Sequence, residues 1–458
     1  MPHERRSAAP GLAAISSAGL RGTTAEEIAA SVRAELDRGA LAPGDTLPPV
    51  RALAEQLGVN RNTALAAYRV LVRAGLAETR RGGGTILIDP LRVLPAEGRT
   101  DGGAGAPLRD VGDGNPDPAL LPDPASVTLA VARPRLYGEE PIDPDLAAWA
   151  TEWIAADQPR PFAVTVTAGA VDAVERLLSQ ALLPGDAVAL EDPCFLTSIS
   201  TVRHAGYRPL PVAMDEAGMR PESLRAALAG GARAIVCTPR AHNPTGASLT
   251  PGRAAELREV LVDFPGVLVI EDDHFALLST SSPETIVPAS QWRWALVRSV
   301  SKVLGPDLRL AIVASDPATA EQLALRLNGG NTWVSHLLQR ASHALLTAPG
   351  ADARAAAAAA HYSERAAAFT AQLARVGLRG AGRDGLNVWA DAGVDAATVL
   401  PRLRARGWHA RAGSEFALAG GHERWVRLTV HTLSDPEQRQ LAEDLAWAAG
   451  AREVPRTA

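Results

Sequence analysis

The sequence predicts an α/β chain in two parts: an N-terminal winged helix-turn-helix, and a larger doubly wound α/β body that ends in a small C-terminal α+β lobe. Three observations carry this. Short amphipathic helices with capping signals, then a glycine hairpin, fill residues 1–89. Residues 90–111 are rich in Gly, Pro, Ala and Arg without any period, as in a flexible linker. From residue 112 to residue 458, apolar runs of strand length alternate with helical stretches.

The totals bound the function classes. A chain of 458 residues suits two or three domains, and 47% hydrophobic with 21% charged residues is a globular composition. The net charge of −5 makes no overall case for nucleic acid or membrane. It is unevenly spread, since residues 1–90 carry 11 basic against 9 acidic side chains and the remainder 35 against 42. Two cysteines, Cys194 and Cys237, are too few for a disulfide framework and suit a reducing cytoplasm. No apolar run approaches the roughly 20 residues that span a bilayer, and Met1–Pro10 lacks a signal-peptide core. The expectation is a cytoplasmic protein with no membrane partner. The ten histidines show no metal-ligand spacing, so no metal is expected.

In the head, Thr24-Ala-Glu-Glu27 has the form of a capping box, and Ile28, Val32 and Leu36 recur on one helical face until Gly39. A second helix follows Leu47-Pro48-Pro49, carries Val50, Leu53, Ala54 and Leu57, and stops at Gly58. Asn60 introduces a third, from Arg61 or Asn62 to about Ala74, with Tyr68, Leu71 and Val72 expected to face inward. Strands are predicted around Leu76–Arg80 and Thr85–Ile88, joined through Arg81-Gly82-Gly83-Gly84, where a tight hairpin needs positive φ. A short turn between the second and third helices makes this a helix-turn-helix with a wing. The third helix would enter the major groove N-terminus first, where Arg reads guanine and Asn reads adenine. The candidate DNA-binding residues are Arg51, Asn60, Arg61, Asn62 and Thr63, with Arg81 and Gly83 on the wing.

The body is organised around Lys302, the one lysine among 46 basic residues. Arginine is never deprotonated in proteins, so it cannot form an imine, whereas a desolvated lysine can. Ser299 and Ser301 precede Lys302, and Arg309 follows it as a fixed charge suited to phosphate. Serines, a Schiff-base lysine and an arginine so close together describe a pocket for pyridoxal 5′-phosphate. Strands are predicted at Ala163–Thr167, Ala187–Leu190, Arg208–Val212, Ala234–Cys237, Val267–Glu271, Ala295–Val300 and Leu310–Ala314, with helices at Val171–Leu183 and Arg253–Val262. Polar motifs stand where these strands end, the place where such sheets bind ligands. They are the helix start at Ala170 and Val171, the ring of Phe195, Asn243 in its Pro-Thr-Gly turn, and the acidic run before His274. A carboxylate in that run can hold a pyridine nitrogen and make the ring an electron sink. The C-terminal part adds a strand at Trp425–Val430 and a last helix from Pro436.

The head resembles the GntR family of bacterial repressors in Leu47-Pro48, Arg51, Leu53-Ala54, Leu57-Gly58-Val59, Arg61, Thr63, Tyr68, Leu71 and Gly75-Leu76. The body resembles fold-type I aminotransferases in Asn243-Pro-Thr-Gly246, Ser299-Val-Ser-Lys302, Leu308-Arg309 and Arg427-Leu428. By that resemblance Lys302 is the Schiff-base lysine, Asp272 pairs with the ring nitrogen, Asn243 contacts the ring oxygen and Phe195 stacks. Ser299, Arg309 and the amides of Ala170 and Val171 bind the phosphate. Tyr137 reaches the partner subunit's cofactor and Arg427 takes an amino-acid carboxylate. His274 stands where the wider family has a tyrosine touching the ring oxygen, and Val171 where a glutamine is common.

A GntR head on an aminotransferase-like body resembles the MocR family of regulators. Asp272-Asp-His-Phe-Ala, Gly305-Pro-Asp-Leu-Arg309 and Trp333-Val-Ser-His-Leu-Leu-Gln339 look most like its PtsJ/YczR subgroup, where histidine at 274 is expected. The resemblance implies a homodimer that binds a double-stranded DNA operator under the control of pyridoxal phosphate or an amino compound, with vitamin B6 homeostasis as a setting. The rival readings are a working aminotransferase with a vestigial head, and a DNA-binding protein whose body only dimerises.

Overall fold

The computed structural model describes residues 19–74, 76–80, 84–87, 108–127, 134–328 and 333–450, which form two compact units.

In the head, α1 (Ala25–Asp37) begins at the expected capping box. Thr24 Oγ1 accepts from Glu27 N at 3.2 Å, and Glu27 Oε2 accepts from Thr24 N at 3.3 Å. α2 (Val50–Leu57) is stopped by Gly58, whose φ of 63° lies in the left-handed region that glycine enters without steric cost. α3 (Arg61–Arg73) starts three residues later, with Asn60 Oδ1 accepting from Asn62 N at 2.8 Å. Ala64, Ala67, Tyr68 and Leu71 line its buried stripe, while Val72 is 37% exposed rather than inward-facing. One residue past Leu71 turns about 100° around the helix, which carries Val72 off the stripe. The wing pairs β1 (Ala77–Arg80) with β2 (Gly84–Leu87) antiparallel. Its Arg81 and Gly83 lie outside the described residues. Ile28, Val32, Leu53, Leu71 and Leu87 are fully buried and form one core. The Tyr68 hydroxyl donates to Pro48 O at 2.6 Å, which ties α3 to the entry of α2.

The body's first strands are β3 (Arg109–Asp110), β4 (Ala163–Thr167), β5 (Ala187–Asp192), β6 (Arg208–Asp215), β7 (Gly218–Met219), β8 (Ala232–Cys237), β9 (Leu268–Asp272), β10 (Trp294–Ser299) and β11 (Ala311–Ser315). The C-terminal lobe adds β12 (Arg379–Ala381), β13 (Asn387–Asp391), β14 (Trp408–His409), β15 (Arg411–Ala412) and β16 (Trp425–Thr429). Eight strands make the large sheet, in the order β4-β11-β10-β9-β8-β5-β6-β7. Strands β10, β9, β8, β5 and β6 run parallel, and β11 runs against both of its neighbours. The reason is the length of the connection. Parallel neighbours need a crossover of a dozen or more residues, and the link from Ser299 to Ala311 holds only a one-turn helix, Ser301–Leu304. That short link carries Lys302. All residues of β5, β9, β10 and β11 are buried, as a sheet covered on both faces requires.

Predicted and observed strands agree to within three residues at either end. β6 runs on to Asp215, and Val300 leaves β10 to cap the Lys302 turn. The alanine run Ala355–Ala360 lies inside a 25-residue helix, Ala351–Arg375. In the C-terminal lobe, β12-β13-β16-β15 form an antiparallel sheet with its own core of Val388, Val399, Val426, Leu428 and Leu441. Arg109–Val111 were expected to close the linker. Instead β3 pairs with β14 and Val111 is fully buried in this lobe's core.

Candidate cofactor site and nucleic-acid interface

Because β4, β5, β8, β9 and β10 share one direction, their carboxyl ends bring five separate loops to one edge of the sheet. β10 runs into the Lys302 turn, and Lys302 Nζ donates to Gly114 O at 2.9 Å. Asn243 follows β8, is 7% exposed, and its Oδ1 accepts from Arg427 Nη1 at 3.2 Å. Arg427, on β16, is fully buried, and its Nη2 donates to Gly112 O at 2.5 Å. The resemblance-derived carboxylate ligand therefore does sit beside the ring-oxygen candidate, although 184 residues separate them.

Two of the phosphate candidates also meet, Arg309 and the helix start at Ala170 and Val171. Gly169 ends the turn after β4 with φ 98°, and a side chain there would lie 3.6 Å from Arg309 Nε. So the Arg309 guanidinium lies over the start of the helix Ala170–Ala181. Gly169 offers that helix no side-chain cap, which leaves the N–H groups of Ala170 and Val171 for an anion. Ser299 is buried and its Oγ accepts from Ser301 N at 3.2 Å. Phe195 and His274 are half-buried at the exits of β5 and β9. Tyr137 stands apart, 90% exposed, its ring 5.6 Å from that of Trp333.

Three consecutive carboxylates, Glu271, Asp272 and Asp273, end β9, and their partners differ. Glu271 accepts from Ile286 N at 2.7 Å and Thr285 Oγ1 at 3.1 Å. Asp273 is clamped by two arginines. Arg240 binds both its oxygens at 2.7 Å, and Arg298 Nε donates to Oδ2 at 3.0 Å. Asp272 Oδ1 is buried with no hydrogen-bond partner. Burial, then the charges of Asp273 and Glu191, push the Asp272 carboxyl up to about 7. A buried carboxylate left this way is costly unless a cation or N–H donor reaches it. Of the three, Asp272 is the one with a buried oxygen that no hydrogen-bond donor satisfies.

Sequence reasoning missed the groups behind Asp272. Arg298 Nη2 also binds Asp157 Oδ2 at 2.5 Å, so Asp157, Arg298, Asp273 and Arg240 form one ionic network, buried at Arg298, Asp273 and Arg240 and exposed at Asp157. A signal for Arg298 was available, since an arginine inside the apolar run of β10 must find a buried acid. Asp157 and Arg240 carry no such signal. The carbonyls of Gly112 and Gly114 were equally invisible, because backbone groups have no sequence signature.

On the head, Arg51, Asn60, Arg61 and Asn62 are exposed and Thr63 is half-exposed. Arg51 Nε pairs with Glu55 Oε1 at 3.0 Å, and Asn60 spends its Oδ1 on capping α3. Among the described residues no helix is long and apolar enough to cross a membrane.

Comparison with known proteins agrees with this division. Residues 24–87 match the family "Bacterial regulatory proteins, gntR family", and residues 134–445 match "Aminotransferase class I and II". The vitamin B6 salvage pathway transcriptional repressor PtsJ of Salmonella typhimurium is 45% identical over 93% of this chain and 99% of its own. The HTH-type transcriptional regulator TauR of Rhodobacter capsulatus is 30% identical over 81% of this chain and 84% of its own. Among solved structures, the α-aminoadipate aminotransferase LysN of Thermus thermophilus, complexed with N-(5′-phosphopyridoxyl)-L-leucine, superposes with a TM-score of 0.66. It is 25% identical and covers 75% of this chain and 92% of its own. The class is thus a GntR-type winged helix-turn-helix joined to a fold-type I aminotransferase fold. The chain belongs to the MocR family of DNA-binding transcriptional regulators, with the features of its PtsJ subgroup.

Proposed function

We propose that the body binds pyridoxal 5′-phosphate through Lys302 and that its occupancy sets how tightly two heads, in a homodimer, hold a DNA operator. The observation that carries this reading is the unpartnered, buried Oδ1 of Asp272 at the same strand edge as the sole lysine. In this reading Asp272 meets the ring nitrogen, Asn243 and His274 the side of the ring oxygen, and Phe195 one ring face. Ser299, Arg309 and the amides of Ala170 and Val171 take the phosphate. The cofactor supplies an aldehyde that captures amines and a ring that withdraws electrons. Lys302 must give up its hydrogen bond to Gly114 O to use its amine, and a bound carboxylate would compete with Gly112 O for Arg427. Both carbonyls belong to the segment that enters the small lobe from the linker, so both events act on the same few residues. A ligand changes DNA affinity only if it favours one arrangement of that segment over another. Tyr137, so exposed in a single chain, is assigned to the partner subunit's site. The effector is pyridoxal phosphate itself or an amino compound. The setting is vitamin B6 homeostasis in the cytoplasm, supported by the similarity to the Salmonella repressor of the vitamin B6 salvage pathway. Arg51, Arg61, Asn62 and Thr63, with Arg81 and Gly83 of the wing, are the operator-facing residues, and Asn60 orients them as the cap of α3.

The test is a gel-shift titration on the gene's own upstream DNA, with and without pyridoxal phosphate, using wild type and Lys302→Ala. Borohydride treatment should fix the cofactor on wild type alone, and the cofactor should change DNA affinity in wild type alone. An unchanged titration in wild type overturns the sensor reading. Sustained amino transfer between an amino acid and a keto acid would favour a working aminotransferase instead.

A further inference from the structure

We propose that Asp117, His361 and His431 form a binding site for one divalent transition-metal ion of the zinc class. The three come from separate elements. Asp117 caps the short turn Pro118–Leu120, His361 lies in the helix Ala351–Arg375, and His431 follows β16. One ligand atom from each lies within 4.8 Å of the others. A tetrahedral ion with bonds of about 2.1 Å holds its ligands about 3.4 Å apart, so small side-chain rotations close the set.

The histidine tautomers support this. His361 Nε2 lies 3.0 Å from His431 O, and His431 Nε2 lies 2.9 Å from Asn115 O. A carbonyl only accepts, so each Nε2 carries the proton and each Nδ1 keeps a lone pair. Metal-binding histidines are oriented this way, with the far ring nitrogen donating to a backbone carbonyl. The independent observation is His431 Nδ1. The residue is 4% exposed, yet that atom has no hydrogen-bond partner, a costly arrangement that a bound ion resolves. On Asp117, Oδ1 accepts from Ala119 N at 2.9 Å, which leaves Oδ2 for the ion. Tyr362 braces the group, its hydroxyl accepting from Asp117 N at 3.1 Å and its ring standing 4.9 Å from that of His431. A cavity of about 300 Å³ touching Asp113, Asn115, Thr429 and His431 gives an entry route and room for a water ligand.

This site was not legible from histidine spacing, because its ligands lie 244 and 70 residues apart. An ion there would pin Asn115 and Asp117, next to the Gly114 carbonyl that holds Lys302.

The test uses the full chain without a polyhistidine tag, stripped with EDTA, titrated with Co²⁺ and then competed with Zn²⁺. One equivalent per chain with visible d–d absorption is expected. Loss of one supporting hydrogen bond to a ligand already costs about 10–100-fold in affinity. Removal of a ligand in Asp117→Asn, His361→Gln or His431→Gln should therefore cost at least about 100-fold. Should His431→Gln fail to fold, the other two decide. Lys302→Ala should keep the site, so failure of the cofactor reading leaves this one standing. Less than one equivalent bound by wild type, or undiminished binding in the folded variants, overturns it.

Discussion

On the head, Arg51, Arg61 and Asn62 stand exposed over a core to which they contribute nothing, whereas in the body Asp272, Asn243, Ser299 and Arg427 are each at most 8% exposed. A solvated arginine costs almost nothing to keep and can change without harm to the fold. A buried carboxylate or guanidinium needs a built surround, and the body supplies one in the Asp157-Arg298-Asp273-Arg240 network. The difference teaches that function and stability are separable in the head and coupled in the body.

The largest expected effect breaks that surround. Asp273→Ala leaves Arg240 and Arg298 buried without their shared acid and should destabilise the body by about 3–5 kcal/mol. Urea denaturation followed by body tryptophans should show it, with the head's own transition unmoved. Equal loss in both units would refute the separation.

The second effect is on pH dependence. Asp272 and Glu271 are both pushed up to about 7, chiefly by burial. Between about pH 4 and 7 the folded body holds protons that the unfolded chain has released. Their contribution is therefore complete below the usual carboxylate range and is lost as pH rises toward 7. The slope is up to about 1.4 kcal/mol per pH unit for each group. In protein stripped of cofactor, Asp272→Asn should flatten the fall in unfolding midpoint across that window.

On the head, Arg61→Ala should weaken operator binding about 10- to 100-fold and relax specificity at one base position, with no change in melting temperature. Binding isotherms on operator variants and a thermal melt check the two halves together. Smallest is Tyr68→Phe, which strands Pro48 O and should cost the head about 1 kcal/mol without altering the body.

Much of this was readable in advance, for physical reasons. Caps and stops such as Thr24, Gly58 and Asn60 act within four residues, so their effect is local and visible in the chain. Strands buried on both faces need apolar runs rather than alternation, and β5, β9, β10 and β11 supplied them. Lys302 was conspicuous because one amine among arginines has chemistry they lack. Val72 was misjudged because inward direction depends on where the partner helices stand, and the linker's end was misjudged because β3 is held by β14, some 300 residues away.

By itself the sequence determined the elements, their two-part division and the chemical types at the strand ends, since propensity, capping and amine chemistry belong to the residues. Only the tertiary structure decided which of three adjacent carboxylates keeps a buried oxygen without a partner, which carbonyls hold Lys302 and Arg427, and which distant histidines lie near Asp117. Those outcomes depend on solvent exclusion and on contacts between residues far apart in the chain, and neither exists until the chain has folded.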